Sequence, residues 1–312
     1  MQRACAIAEP EKTIRRLLRA SLVFRSSEDR DRFRMLRPVR SYARMTLQSL
    51  PEASESKSRY IDFFTKYAGE HQNVNLPGNS QLLGLEWLNI LQASRLAGEL
   101  DQYQKLLSLA DSMRIWFYLS VHSVEASEIQ ERTRLAANLK LDTQTEANCI
   151  QRLGDIALAR SDHETARARY EEARLMYRQV GSVQGEANCI QGFGNTHLKL
   201  LQSEAATKHF LQAIEMYRNF GDIEGEGECL RGLGDAALQQ ADFVLARQKY
   251  DEANILFARI QNPHFIGEIH QRLARIADSE AEKRSHVAAA REAWSSIGFD
   301  HLVAELDTEF GV

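Results

Sequence analysis

Beyond Thr145 the apolar and small residues of the chain fall at spacings of three and four. Counting Ala147 as position one of a unit, positions 4, 7, 8 and 11 are Ile150, Leu153, Gly154 and Ala157. Forty residues later the same positions hold Ile190, Phe193, Gly194 and His197, the last a polar exception, and forty later again Leu230, Leu233, Gly234 and Ala237. That spacing places each set on one face of an α-helix. The second half of each unit carries a small-large-small stripe: Ala166, Tyr170 and Ala173, then Ala206, Phe210 and Ala213, then Ala246, Tyr250 and Ala253. A single helix pair of this kind cannot bury its apolar face alone. The pattern therefore predicts stacked helical hairpins, a mainly α architecture of the solenoid type.

The units also share a phrase, EANCIQRLGD at Glu146, EANCIQGFGN at Glu186 and EGECLRGLGD at Glu226. Gly181 and Gly221 follow the second helices as C-terminal glycines, and Asn262-Pro263 stops the third. Between the helices, Ser161 and Glu164 read as an S-x-x-E capping box, and Asp242 as a cap in the third unit. With Leu-Gly at positions 7 and 8, Ala at 20, an aromatic at 24 and Ala at 27, the chain resembles the tetratricopeptide repeat family; Phe193 stands in for Leu in the second copy. The resemblance implies a right-handed α-solenoid that grips a protein or peptide partner. The family's usual period is about 34 residues. Its proline near position 32 is replaced here by Arg178, Arg218 and Ala258.

Upstream, helical character persists while the period fades. RYIDFFTKYAGEHQ (59–72) and QLLGLEWLNILQASRLAGE (81–99) read as amphipathic helices separated by the breaker run Asn75-Leu76-Pro77-Gly78. Near the start, TIRRLLRASLVFRSSEDRDRFRMLRPVRSYARMTL reads as helix, strand, polar turn, strand and helix. Ser21-Leu22, Arg32-Phe33-Arg34-Met35-Leu36 and Pro38-Val39-Arg40-Ser41-Tyr42-Ala43, together with Phe63, Tyr67, Ala68, His71, Trp87 and Trp116, resemble the winged-helix and repeat arm of STAND signalling ATPases, the class that includes NB-ARC proteins. The resemblance implies a small N-terminal α/β winged-helix remnant at 1–50, divergent helical repeats at 51–141 and a solenoid at 142–312. Within the solenoid the units span about 147–186, 187–226 and 227–266, with a divergent unit at 267–298 and a capping helix at 300–310. The phosphate-cradling G-x-x-x-x-G-K-[ST] loop of such ATPases does not occur in the sequence, so ATP binding is not expected.

Composition adds little to this picture. The net charge of −4 and the five prolines suit a helical protein. No apolar run has the length of a signal peptide or membrane span, which makes the cytoplasm the expected location. Cys149, Cys189 and Cys229 share position 3 of successive units and read as small buried hydrophobes, since metal sites need tight CxxC-type pairs; Cys5 stands alone. GFG at 192–194 and GLG at 232–234 lie inside helices with no strand before them, so they read as packing glycines and not dinucleotide loops. The nine histidines form no HExxH motif. Neither an enzyme, a cofactor nor a metal is expected. Between Lys12 and Arg44 eleven basic residues face Glu28, Asp29 and Asp31. That excess suits either DNA phosphate or an intramolecular hinge face, with nucleic acid the disfavoured choice.

In tetratricopeptide solenoids the first helices line a concave groove. The resemblance places Asn148, Gln151, Arg152 and Asp155 there, followed by Asn188, Gln191, Asn195 and Lys199, then Glu228, Arg231, Asp235 and Gln239, then Gln271, Arg272 and Arg275. Amides recurring at one depth can bond both the C=O and N–H of an extended peptide, while Arg and Asp select its side chains. Three readings stay open: the sensor or autoinhibitory arm of a STAND-type protein, a free-standing peptide-binding adaptor, and a DNA-binding regulator using the basic half. The edge left by the winged helix's absent first helices is a candidate surface for self-association.

Overall fold

The computed structural model describes residues 10–25, 33–35, 37–48, 53–114 and 123–311. Cys5, Arg32, Leu36 and Trp116 lie outside them. Contacts divide the chain into two units. One comprises residues up to Gly69 with Leu88–Leu109, and the other comprises Glu70–Trp87 with Ala110–Val312.

The first unit holds α1 (Pro10–Arg19), a two-stranded antiparallel ribbon of β1 (Val23–Arg25) and β2 (Phe33–Met35), and α2 (Arg37–Gln48). Val23 pairs with Met35 and Arg25 with Phe33. It also takes most of α3 (Ala53–His71), the latter part of α4 (Asn79–Glu99) and most of α5 (Tyr103–Ser112). Ile61 and Ala68 are fully buried on α3. The Tyr60 hydroxyl donates to Asn89 Oδ1 at 3.0 Å, and Gln102 Nε2 to Ser58 Oγ at 3.1 Å, which ties α3 to α4 and to the turn before α5.

The second unit is an α-solenoid. Its helices are α6 (Ser123–Leu139), α7 (Thr143–Ala159), α8 (His163–Val180), α9 (Val183–Lys199), α10 (Ser203–Phe220), α11 (Ile223–Gln239), α12 (Phe243–Arg259), α13 (Pro263–Arg275), α14 (Glu280–Ser296) and α15 (Asp300–Phe310). Each helix packs on the next in the chain. First helices α7, α9 and α11 also touch one another, and no comparable contact joins second helices α8, α10 and α12. The row therefore bends toward its first helices, which line the inner side.

The turns explain the sharpness of the hairpins. A residue in the left-handed region ends each helix from α6 to α12: Gly181 and Gly221, but also Leu141, Ser161, Leu201, Ala241 and Gln261. The following N–H bonds back five residues, as in Ser182 N to Tyr177 O at 2.8 Å and Asp242 N to Ala237 O at 3.0 Å. This is the Schellman closure. At most turns the same following residue then caps the next helix, Gln202 before α10 being the exception. Asp142, Asp162, Asp222 and Asp242 accept from the backbone N–H three residues on, each at 3.0 or 3.1 Å. A cap of this kind contributes about 1 kcal/mol.

Two expectations about turns need correction. Ser161 has φ 60° and closes α7, so the N-cap is Asp162 and the Ser161/Glu164 capping box does not form. Asn262 and Pro263 do not stop a helix but start one. Gln261 takes the left-handed position, Asn262 caps α13, and Pro263 occupies its first turn, where a missing N–H costs nothing.

The core is a series of aromatic rungs set against glycine. Tyr170 and Phe210 are fully buried. A Cβ added to Gly154 or Gly192 would lie 2.8 or 2.7 Å from the Tyr170 ring, and one added to Gly194 or Gly232 would lie 2.7 or 2.5 Å from Phe210. Each ring is thus clamped between its own first helix and the next unit's. Tyr177 and Tyr217 press the same way on Gly185 and Gly225. The GFG and GLG runs are packing glycines. Leu153, expected in the core, is only partly buried, whereas Phe193 and Leu233 are buried.

Gly234→Ala tests these rungs. Helix propensity alone would stabilise by up to about 1 kcal/mol. The new methyl would lie 2.4 Å from buried Tyr250, whose hydroxyl is held by Asp235 at 2.8 Å. Overpacking of this kind costs about 1–3 kcal/mol, so a net loss is expected in urea unfolding. A neutral or stabilised variant would show that the ring can yield.

Candidate partner-binding face

The first-helix row of the second unit carries the fifteen proposed groove residues, and most of them hold one another. The Tyr177 hydroxyl, reaching over from α8, lies 2.9 Å from Asn148 Oδ1 and 3.0 Å from Gln151 Oε1. One unit on, the Tyr217 hydroxyl lies 2.8 Å from Asn188 Oδ1 and 2.6 Å from Gln191 Oε1. Tyr170 donates to Asp155 at 2.8 Å, as Tyr250 does to Asp235. Bonds also run from each first helix to the next. Asn188 Nδ2 donates to Gln151 Oε1 at 3.5 Å and Gln191 Nε2 to Glu228 Oε2 at 2.6 Å. Arg272 Nε donates to Asp235 Oδ1 at 2.9 Å.

The basic members are paired as well. Arg152 meets Asp111 at 2.8 Å. Arg231 pairs with Glu268 and lies over the Phe265 ring, 5.5 Å from its centroid. Gln271 and Arg275 are both taken by Glu309 of α15, at 2.7 and 2.5 Å, so the last helix covers that end of the row. Gln239 receives the Ser203 hydroxyl at 2.7 Å and donates to Leu198 O at 2.9 Å, a bond between turns. Asn195 and Lys199 alone of the fifteen make no hydrogen bond or ion pair among the described residues.

Outside the row, Glu146 is held by Arg134, Glu186 by Arg174 and Arg178, and Glu226 by Arg218. These are pairs repeating every forty residues between a second helix and the following first helix. Two carboxylates escape this pattern. Glu224 and Glu228, one turn apart on α11, make no ion pair among the described residues; there Glu224 takes Asn262 Nδ2 at 3.5 Å and Glu228 takes Gln191. Burial pushes the Glu228 carboxyl up to about 7, Glu224 and Glu268 add to the shift, and Arg231 opposes it. Burial raises Glu224 too, against the pull of Arg114.

Arg114 is the counterpart of this pair and was not foreseen from the sequence. It makes no ion pair among the described residues, and it lies within electrostatic reach of Arg152, Glu224, Asp111 and Glu228. Crowding by the surrounding protein lowers its pKa, with Arg152 adding to the effect. Beside Glu224 lies a cavity of about 430 Å³ whose polar lining is Asn73, Asn75, Asp222, Glu224, Gln261 and Asn262. It has no basic side chain, and the buried Asn75 Oδ1 accepts no hydrogen bond.

The rest of the chemistry is structural. Cys149, Cys189 and Cys229 are fully buried, and burial pushes the Cys149 thiol up to about 12 and the other two higher, which keeps them protonated and unreactive. Burial alone would raise Glu268, but Arg231 and Arg272 hold it at about 2. His264, buried at the start of α13, lies 3.5 Å from Glu268 and is kept neutral chiefly by burial. No helix among the described residues is long and apolar enough to cross a membrane.

Residues 146–219 match the tetratricopeptide repeat family. No curated protein matches the sequence. Among solved structures, the chain is similar to a Rap protein complexed with competence and sporulation factor, at 10% identity and TM-score 0.58, covering 81% of this chain and 80% of that one. It is similar to the apo form of RapI at 12% identity and TM-score 0.55, covering 72% and 86%. It is also similar to PH0952 of Pyrococcus horikoshii, a STAND protein with a tetratricopeptide repeat sensor, at 15% identity and TM-score 0.52. That match covers 98% of this chain and 49% of PH0952, so this chain spans about half the other's length. At such identities the likeness establishes fold alone. The chain thus carries tetratricopeptide repeats at 146–219, set in a helical-repeat fold of the tetratricopeptide type.

Proposed function

We propose that the chain is a non-enzymatic capture module that holds a protein or peptide partner along its first-helix row. The observation that carries this reading is the uneven satisfaction of charge. Almost every acid and base of the row is paired internally, while Glu224, Glu228 and Arg114 have no ion-pair partner among the described residues. A segment carrying a Lys or Arg close to an acidic group would complete both signs of charge. Asn195 and Lys199, further along α9 toward its C-terminal end, make no hydrogen bond or ion pair among the described residues and offer further polar contacts to the same partner.

The test is capture by the immobilised full chain, comparing wild type with Arg114→Ala/Glu224→Gln/Lys199→Ala. These side chains serve no internal ion pair, so the variant should melt with the wild type. Loss of two or three charge-assisted contacts should weaken a genuine partner by about tenfold or more. Undiminished recovery of every protein held by the wild type would remove this face from consideration.

Within that reading we place the module as the sensor or autoinhibitory arm of a STAND-type signalling protein. Support comes from the likeness to PH0952 over nearly all of this chain and from the helix–strand–strand–helix order of α1, β1, β2 and α2. A phosphate-binding loop encoded in frame upstream of Met1 is the expected finding in the full transcript. A transcript without one favours the adaptor.

A further inference from the structure

α15 is held differently from the helices it rests on. α13 buries Phe265, Ile269, Leu273 and Ala274, and α14 buries Val287, Ala290 and Trp294. Of the 11 residues of α15 only Leu306 is buried. Its N-cap position is Phe299, whose side chain offers no hydrogen bond to the first N–H groups. A helix this short is marginal in water by itself, so its neighbours must keep it in place.

They do so mainly by charge. α15 carries Asp300, Glu305, Asp307 and Glu309 and no Lys or Arg. Glu309 receives Gln271 Nε2 at 2.7 Å and Arg275 twice, at 2.5 and 2.9 Å. Asp307 receives Arg291 Nε at 3.1 Å, and Lys283 Nζ lies 5.6 Å from the centroid of the Phe310 ring. The side chains of both Arg–carboxylate pairs are 31–45% exposed. Pairs so exposed contribute little each and weaken with salt. The surface beneath has a core of its own, in which buried Trp294 donates to His264 O at 3.1 Å and buried Phe299 meets the His264 ring edge-on. Phe299 pins the base of α15, so the helix can leave while the surface stays formed.

We propose that the α13–α14 end of the first-helix row is a docking surface for an acidic helix, occupied here by α15 as a replaceable internal ligand. A partner's helix displaces it by presenting the pattern of Leu306-Asp307-Thr308-Glu309-Phe310: an apolar residue, Asp, any residue, Glu and an aromatic. This deepens the capture reading, on which the identity of the displacing segment rests. It also gives the row a polarity, with a basic group of the bound segment toward Glu224 and Glu228 of α11 and an acidic helix on α13 and α14.

The probe is a fluorescently labelled synthetic peptide of residues 298–312, added to the full chain and followed by anisotropy. In the wild type α15 competes in cis, so the apparent affinity is reduced to the fraction of chains whose surface is bare. Asp307→Asn/Glu309→Gln should loosen α15 and tighten peptide binding by about tenfold. Adding Arg275→Ala/Arg291→Ala to that variant should abolish it, and thermal melts show that each protein is folded. Hydrogen exchange on the unaltered chain gives a second reading. Amides of α15 should exchange about a hundredfold faster than those of α13, and excess peptide should strip the protection that remains on α15 alone. Peptide that binds neither protein, binding indifferent to Arg275 and Arg291, or α15 amides as protected as those of α13 would make α15 a permanent part of the fold. A dimer that the peptide dissolves would overturn the assignment in favour of a second copy of the chain. None of these measurements involves Arg114, Lys199 or Glu224, so failure here and failure of the capture reading show separately.

Discussion

Phe210→Ala should lower the stability of the chain by about 3–5 kcal/mol, more than a comparable truncation at a half-buried position such as Leu153. The ring is fully buried, and the two surfaces that grip it are backbone at Gly194 and Gly232. Helix backbone cannot shift inward to fill the hole as a flexible side chain would, so most of the cavity persists. Because Gly194 and Gly232 belong to successive units, the damage should reach both. In hydrogen exchange, amides of α9, α10 and α11 should lose protection together while those of α14 and α15 keep theirs. Uniform loss across the solenoid would mean that coupling extends beyond neighbours. A loss below about 1 kcal/mol would mean that the joint does not depend on this ring.

Glu228→Gln should stabilise the folded chain at pH 7.5 and weaken partner capture in the same step. A carboxyl raised from 4.5 to about 7 in the folded state is destabilising wherever the unfolded chain ionises more readily. The penalty is absent below pH 4.5, grows between 4.5 and 7, and is constant above. A shift of this size corresponds to about 3 kcal/mol, and solvent reaching the half-buried side chain screens part of it, leaving about 1–2 kcal/mol. The amide keeps the size and removes the charge. Urea unfolding of variant and wild type at matched pH should show a gap that is widest above pH 7 and closes toward pH 4.5. Taking the difference cancels the neutral histidines His209, His264, His270 and His286, whose depressed pKa values remove stability from both proteins as pH falls. A gap that does not vary with pH would show that Glu228 is ionised normally. Retained stability against retained function is the usual exchange at a binding site, where a strained charge is kept for its partner.

The hairpins, the second-helix aromatics, the buried cysteines and the packing role of the glycines were legible because each is a matter of spacing along one helix. Turn details were less so: Ser161 and Asp162 are both good caps, and only the left-handed φ at Ser161 decides between them. The groove residues were legible as a row but not as a site. Whether Asn148 or Asn188 is free to bond a peptide depends on hydroxyls of Tyr177 and Tyr217, which lie 29 residues further along and arrive from another helix. Arg114 carries no repeat signature, and its nearness to Glu224 and Glu228 is a matter of tertiary packing that spacing along one helix does not encode. The hydrogen bond between His270 and His286, whose Nδ1 atoms lie 3.0 Å apart, depends on the turn joining α13 and α14, which no local pattern encodes.

The clamped rings also determine where this array can change length. Gly185 and Gly192 receive Tyr177 and Tyr170, and Gly225 and Gly232 receive Tyr217 and Phe210, so the two middle hairpins offer the same sockets to whatever precedes them. A duplicate of residues 183–222 inserted in tandem would find its complement already in place on both sides. The outer hairpins differ at those sockets: the first has Thr145 and Arg152, the last Phe265 and Arg272, and at the last the incoming Phe257 ring stacks on the Phe265 ring, with centroids 4.6 Å apart, and not on a glycine. Gain or loss of a whole hairpin without a new kind of joint is therefore confined to the middle of the array.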